Sequence, residues 1–146
     1  MMLATQVQAA YDEIVKAAPS LGPGAKASVD VTAEGLLPLF KLPAAQEKGC
    51  AGLVTGVPSY AFKWSGKTEN LRVAFDGDAD STLMVVGVGG KQVLCNDDAA
   101  RGSFNPAIDI PSPADDTYLV YVGRINPEKP VTGTLTVAEA AKGATK

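Results

Sequence analysis

The residues best suited to chemistry are oxygen ligands. Asp76, Asp78 and Asp80 occupy alternate positions around Gly77, and Asn96, Asp97 and Asp98 follow directly after Cys95. Between Asp76 and Asp116 the chain carries eight acidic residues against two basic ones, Lys91 and Arg101. Like charges crowded in this way repel unless a cation sits among them. Calcium takes six to eight oxygen ligands, and alternate aspartates in a glycine-containing turn can curl several oxygens inward. The spacing is not that of a complete EF-hand loop. The same residues also serve as turn formers, because aspartate side chains accept backbone hydrogen bonds in Asx-turns. Both readings stand on the pattern alone. Paired-carboxylate glycoside hydrolysis would use the same acids but needs a deep substrate cleft.

Other catalytic constellations are missing. Histidine is absent, which excludes Ser-His and Cys-His nucleophiles and histidine-zinc centres. There is no GxSxG elbow, no HExxH and no phosphate-cradling loop opening a helix. Gly87-Val88-Gly89-Gly90 lies between two strand-like runs and reads as a hairpin turn. The composition points to a non-enzyme. A net charge of −3 offers no attraction to phosphate backbones or anionic membrane surfaces, so nucleic acid is not an expected partner. No apolar run is long enough to span a bilayer. Cys50 and Cys95 are too far apart for a CxxC motif and are even in number, so a disulfide in an oxidising compartment is the simplest reading, with two buried free thiols as the alternative. Residues 1–10 lack the basic and apolar regions of a secretory leader. Either the chain starts inside a longer precursor or it is not exported by that route.

The elements that must position these residues can be read in order. With 146 residues one domain is expected. In residues 3–18 the apolar positions Leu3, Val7, Ala10, Tyr11, Ile14, Val15 and Ala18 fall on one helical face. Pro19 and Gly22-Pro23-Gly24 stop that helix. About four turns are marginal alone, so the helix is expected to dock on the domain or on a partner. After Gly24 the texture becomes β. Residues 27–32 alternate with period two, and residues 36–42 are apolar but broken by Pro38, which suits an edge. In residues 59–64, Tyr60, Phe62 and Trp64 share a face and read as core. Residues 70–75 alternate again, and residues 81–88 form an apolar run that suits a strand covered on both faces. Gly89-Gly90 turns the chain into residues 91–95, a long loop is expected over 96–113, and residues 117–123 and 132–137 complete the set. Seven to nine short strands without a crossover helix argue for a sandwich or barrel. The expected organisation is a helix and linker over 1–24, a β-sandwich over 25–139 and a tail over 140–146.

Several weak motifs fall in an order that resembles the bacterial pre-peptidase C-terminal family. They are Gly49-Cys50-Ala51-Gly52 followed by Pro58; Gly77-Asp78-Ala79-Asp80-Ser81-Thr82-Leu83; Cys95-Asn96-Asp97-Asp98; Asn105-Pro106; Thr117-Tyr118 through Val122-Gly123; and Gly133-Thr134-Leu135-Thr136-Val137. The resemblance covers about two-thirds of the chain, from residue 48 to 139. It implies an all-β, antiparallel, jelly-roll-like sandwich that is exported, is not itself catalytic and accompanies secreted proteases or other surface proteins. It also implies calcium at Asp78, Asp80, Asp97 and Asp98, and a Cys50–Cys95 disulfide tying an early strand to the second acidic turn. No protease domain accompanies the module, and the N-terminal helix has no counterpart in the family.

The resulting expectation is an extracellular or periplasmic, calcium-stabilised accessory module that binds a protein or cell-surface partner. One alternative is a structural subunit of a surface assembly, self-associating through the N-terminal helix and the Pro38 segment. Another is a carbohydrate-binding module that stacks sugars on Trp64 or Tyr121, which requires one of those rings to be exposed.

Overall fold

The computed structural model describes residues 4–42, 45, 50–97 and 105–140. One helix, α1 (Ala4–Lys16), precedes eleven strands: β1 (Ser20–Leu21), β2 (Lys26–Ala33), β3 (Leu37–Pro38), β4 (Leu53–Val54), β5 (Tyr60–Trp64), β6 (Asn70–Gly77), β7 (Ser81–Gly87), β8 (Gln92–Asn96), β9 (Ala107–Pro111), β10 (Asp116–Arg124) and β11 (Val131–Glu139). A 3-10 turn, Leu39–Lys41, follows β3.

The strands form two sheets. The first is built on β10, which pairs along one side with β7 from Tyr118 to Arg124, and β7 in turn carries β8. The other side of β10 is shared. β5 takes Asp116 to Val120 and carries β1 in parallel, while β4 takes Arg124 and carries β3. The second sheet has the order β2-β11-β6-β9 and is antiparallel throughout. Successive strands cross repeatedly between the sheets, so the core is closed by long-range pairings.

Alternation along β10 explains why the first sheet is buried twice. Tyr118, Val120 and Val122 enter the sandwich interior with Phe62, Trp64, Leu71, Val73, Phe75, Leu83 and Val85. Leu119 and Tyr121 point the other way and join Ala61, Met84, Val54 and Leu39 in a second cluster. Tyr11, Ile14, Val15 and Ala18, the predicted apolar face of the helix, cover that second cluster. The helix therefore docks within its own chain. Its apolar face from Tyr11 onward is packed on that cluster, which lends no support to self-association through the helix.

The apolar run of β7 is covered on both faces, as the pattern predicts, with residues 81–85 buried. Residues 36–42 form the two-residue edge strand β3 followed by the 3-10 turn. Two expectations are revised. The segment read as a linker contains β1, hydrogen-bonded beside β5, and the segment read as a loop over 96–113 contains β9, whose Ile108 and Ile110 are buried opposite Val73 and Leu71. Of the tail expected over 140–146, only Ala140 lies within the described residues; its N–H donates to Asn70 O at 3.2 Å.

Candidate functional site

The acidic turns lie where β6 and β8 end. Asp76 is exposed on the outer face of β6, and its Oδ1 accepts from Asn105 Nδ2 at 3.1 Å while Asn105 Oδ1 accepts from Gly77 N at 3.0 Å. Asp78 extends the ladder past the strand end. Its N–H donates to Thr132 O, and its Oδ1 accepts from Thr132 N, both at 3.0 Å. These two aspartates hold loops and strand ends, as turn formers do. Asp80 and Asp97 are exposed, and Asp98 lies outside the described residues. Among the described residues, no three acidic, histidine or cysteine side chains come together as a group that could hold a metal ion. Two nearby oxygens are nevertheless buried without a hydrogen-bond partner, Asn96 Oδ1 and Ser81 Oγ. Asn96 pairs with Leu83 across the β7–β8 ladder, which places both orphan oxygens at one end of the sandwich.

The aromatic alternative is corrected here. Trp64 is 2% exposed and Tyr121 8%, so neither presents a ring face on which a sugar could stack. Trp64 Nε1 donates to Gly66 O at 3.0 Å, and the ring fills the interior. Tyr121 lies in the cluster beneath α1, where burial and the nearby Tyr11 push its hydroxyl pKa up to about 12.

Asp116 is a structural acid that the sequence reading did not separate from the others. Partial burial works to raise its pKa, but the N–H groups of Gly90, Gly89 and Thr117 outweigh that and hold it below the ordinary carboxylate value. Asp115 does similar work, accepting from Gly66 N at 3.0 Å. Arg72 and Asp109 face each other across β6 and β9 in a two-pronged pair, with Nε–Oδ1 at 2.8 Å and Nη2–Oδ2 at 2.9 Å.

The feature that stands apart on the surface is apolar. A depression of about 570 Å³ is lined by Pro38, Phe40, Cys50, Ala51, Gly52, Leu53 and Ile125. Phe40 is 54% exposed and Ile125 38%, with Leu36 nearby in sequence at 63%. The 3-10 turn produces this arrangement. Leu39 donates its N–H to Gly52 O at 2.8 Å and is fully buried, so Phe40, the next residue, is turned outward. Behind it, Arg124 is 6% exposed and donates from Nε to Gly35 O at 3.0 Å and from Nη2 to Glu34 O at 3.1 Å. That guanidinium fastens the β2–β3 connection to β10. Gly35 allows the connection to pass against the backbone of Val54, a space that a Cβ would fill.

The Cys50–Cys95 disulfide forms, with Cα atoms 5.8 Å apart, and joins the wall of this depression to β8. Cys50 is buried. Sequence reading expected the bridge but missed the apolar surface beside it, because Leu36, Phe40 and Ile125 look like core residues until the strand edge and the turn are placed.

The architecture these observations define is a two-sheet sandwich, antiparallel but for the short β1–β5 pairing, with a helix packed on one sheet and a disulfide tying the depression wall to β8. No family model matches the sequence, and no curated protein matches it. Among solved structures the chain is similar to PliG of Aeromonas hydrophila, a periplasmic lysozyme inhibitor of g-type lysozyme, with 14% identity, a TM-score of 0.43, and coverage of 84% of this chain and 98% of that one.

Proposed function

We propose that this chain is a non-catalytic, extracytoplasmic β-sandwich module that binds a protein partner through the apolar depression around Phe40. The observation that carries the reading is the exposure of Phe40 and Ile125 around that depression, next to a disulfide. Exposed apolar patches rimmed by polar groups mark interaction sites on folded proteins. Aromatic anchors of this kind dominate binding energy once a partner excludes water from them. The disulfide supports an oxidising compartment. The absence of histidine supports a binding role over catalysis.

The finer fold reading is a jelly roll of the pre-peptidase C-terminal kind. It is supported by the order β2-β11-β6-β9 in one sheet and β8-β7-β10 flanked by β5 and β4 in the other, in which the first long strand pairs with the last. Calcium belongs to the same reading. A cation at the end of the sandwich would draw on Asp80, Asn96, Asp97 and Asp98, and the partnerless Asn96 Oδ1 supports a hard ligand there. Calcium bound only by the folded chain would raise the thermal midpoint above its value in chelator and above the effect of magnesium, and Asp80→Ala would remove that rise.

Binding is tested by immobilising the oxidised chain and passing over it the extracytoplasmic fraction of the cells that make it. The wild-type chain should retain a protein saturably, and Phe40→Ser/Ile125→Ser should lose it while remaining folded by circular dichroism, since both side chains are partly exposed and lie outside the two core clusters. Equal retention by the two chains would reject this surface as the binding site.

A further inference from the structure

β2 is the outermost strand of its sheet and pairs on one side only, with β11. Which of its peptide groups face the free side follows from β11. Thr132 accepts from Asp78 N and donates its own N–H to Asp78 Oδ1, so its backbone groups turn toward β6. Along an antiparallel strand this direction alternates residue by residue. Gly133, Leu135 and Val137 therefore face β2, and their register partners Val31, Val29 and Ala27 face back. The N–H and C=O groups of Lys26, Ser28, Asp30 and Thr32 point outward, and no backbone partner meets them among the described residues.

An eight-residue edge without proline or a bulge is a template for another strand. Its charges select which one. Lys26 and Asp30 are both exposed, have opposite sign and flank Ser28 at equal distance. When a second β2 is placed antiparallel about a two-fold axis at Ser28, each Lys26 lies directly opposite Asp30 of the other copy. The two Ser28 residues then form a hydrogen-bonded pair, and Ala27 of each copy meets Val29 of the other on the core side, where both are half-buried. Centring the pairing on Val29 sets Asp30 against Ser28 and Lys26 against Thr32, and centring it on Asp30 opposes two carboxylates. The Ser28 register alone satisfies both charges twice.

We propose that this edge is a self-docking surface, on which a second copy of the chain adds its β2 antiparallel, centred on Ser28, and joins two four-stranded sheets into one. Isologous pairing of this kind closes after two copies and leaves no free β2 edge.

The test is sedimentation equilibrium of the full oxidised chain over a dilution series. Wild type should show a monomer–dimer equilibrium. Lys26→Asp and Asp30→Lys each turn two attractive cross-strand pairs repulsive and should raise the dissociation constant about tenfold or more. An equimolar mixture of those two variants should dimerise again, because every cross-strand pair is then of opposite sign. Ser28→Pro removes an outward N–H at an edge where proline is tolerated, and it should be folded by circular dichroism and monomeric by sedimentation. A wild-type chain that stays monomeric at every concentration overturns the proposal, including the case in which the edge takes an extended peptide from another protein while the chain remains single. Single-charge variants that dimerise as wild type does overturn it too.

Discussion

Several polar side chains in this protein are occupied by the backbone, and their titration should report it. Asp116 accepts from Gly89, Gly90 and Thr117, and those donors keep its carboxyl ionised below the ordinary range. A depressed carboxylate contributes stability above its unfolded pKa and loses it as pH falls through the folded one. Asp116→Asn should therefore lower the thermal midpoint at neutral pH and flatten its decline in acid, read from melts across an acid series. Tyr121 carries the opposite sign. With its pKa raised from 10.0 to about 12 by burial and by Tyr11, its contribution is whole below pH 10 and is lost as pH rises through the folded value. Tyr121→Phe should make the midpoint less sensitive to pH over that window, and an unchanged slope would mean that the ring is solvated. The sequence made the acids visible but not their tasks. Asp76 and Asp116 look alike in a charge count, and only the placement of Asn105 and of the Gly89-Gly90 turn separates a strand-end clasp from a turn clasp.

The elements were legible wherever periodicity is strong. α1 appeared as an apolar stripe, and β6, β7 and β10 as alternating or continuous apolar runs, because their side chains face one or two buried layers. Elements defined by pairing rather than by pattern were not legible. β1, β3 and β4 are two residues each, too short for any period, and β9 carries only Ile108 and Ile110 as inward residues among prolines that read as loop. The helix can be tested as an element. Ile14 packs on the outer face of the first sheet, so Ile14→Asp should cost about 1 to 2 kcal/mol by loss of apolar burial and introduction of a charge. The measurement is chemical denaturation of both chains, and equal midpoints would mean that α1 is detached in solution.

At the scale of the whole molecule, the sandwich is a scaffold with a covalent tie. Strand count and the absence of crossover helices pointed to a sandwich or a barrel, while the choice of two sheets and the order of strands within them depend on long-range pairings that no local pattern encodes. The exposed surface around Phe40 belongs to the same class of information. It arises because Leu39 is drawn inward by Gly52 and β3 lies at an edge. The bridge from Cys50 to Cys95 closes a separation of 45 residues, which by loop closure is worth about 3 to 4 kcal/mol. That tie anchors the depression wall to β8, as the extracytoplasmic module proposed above requires. The most direct measurement is thiol trapping in the cells that make the chain, acid-quenched and alkylated with and without prior reduction. An extracytoplasmic, disulfide-tied module predicts no label on Cys50 or Cys95 before reduction and label on both afterward. Label on both cysteines without reduction would contradict the account, leaving the loop at Cys50 untied and the protein in a reducing compartment.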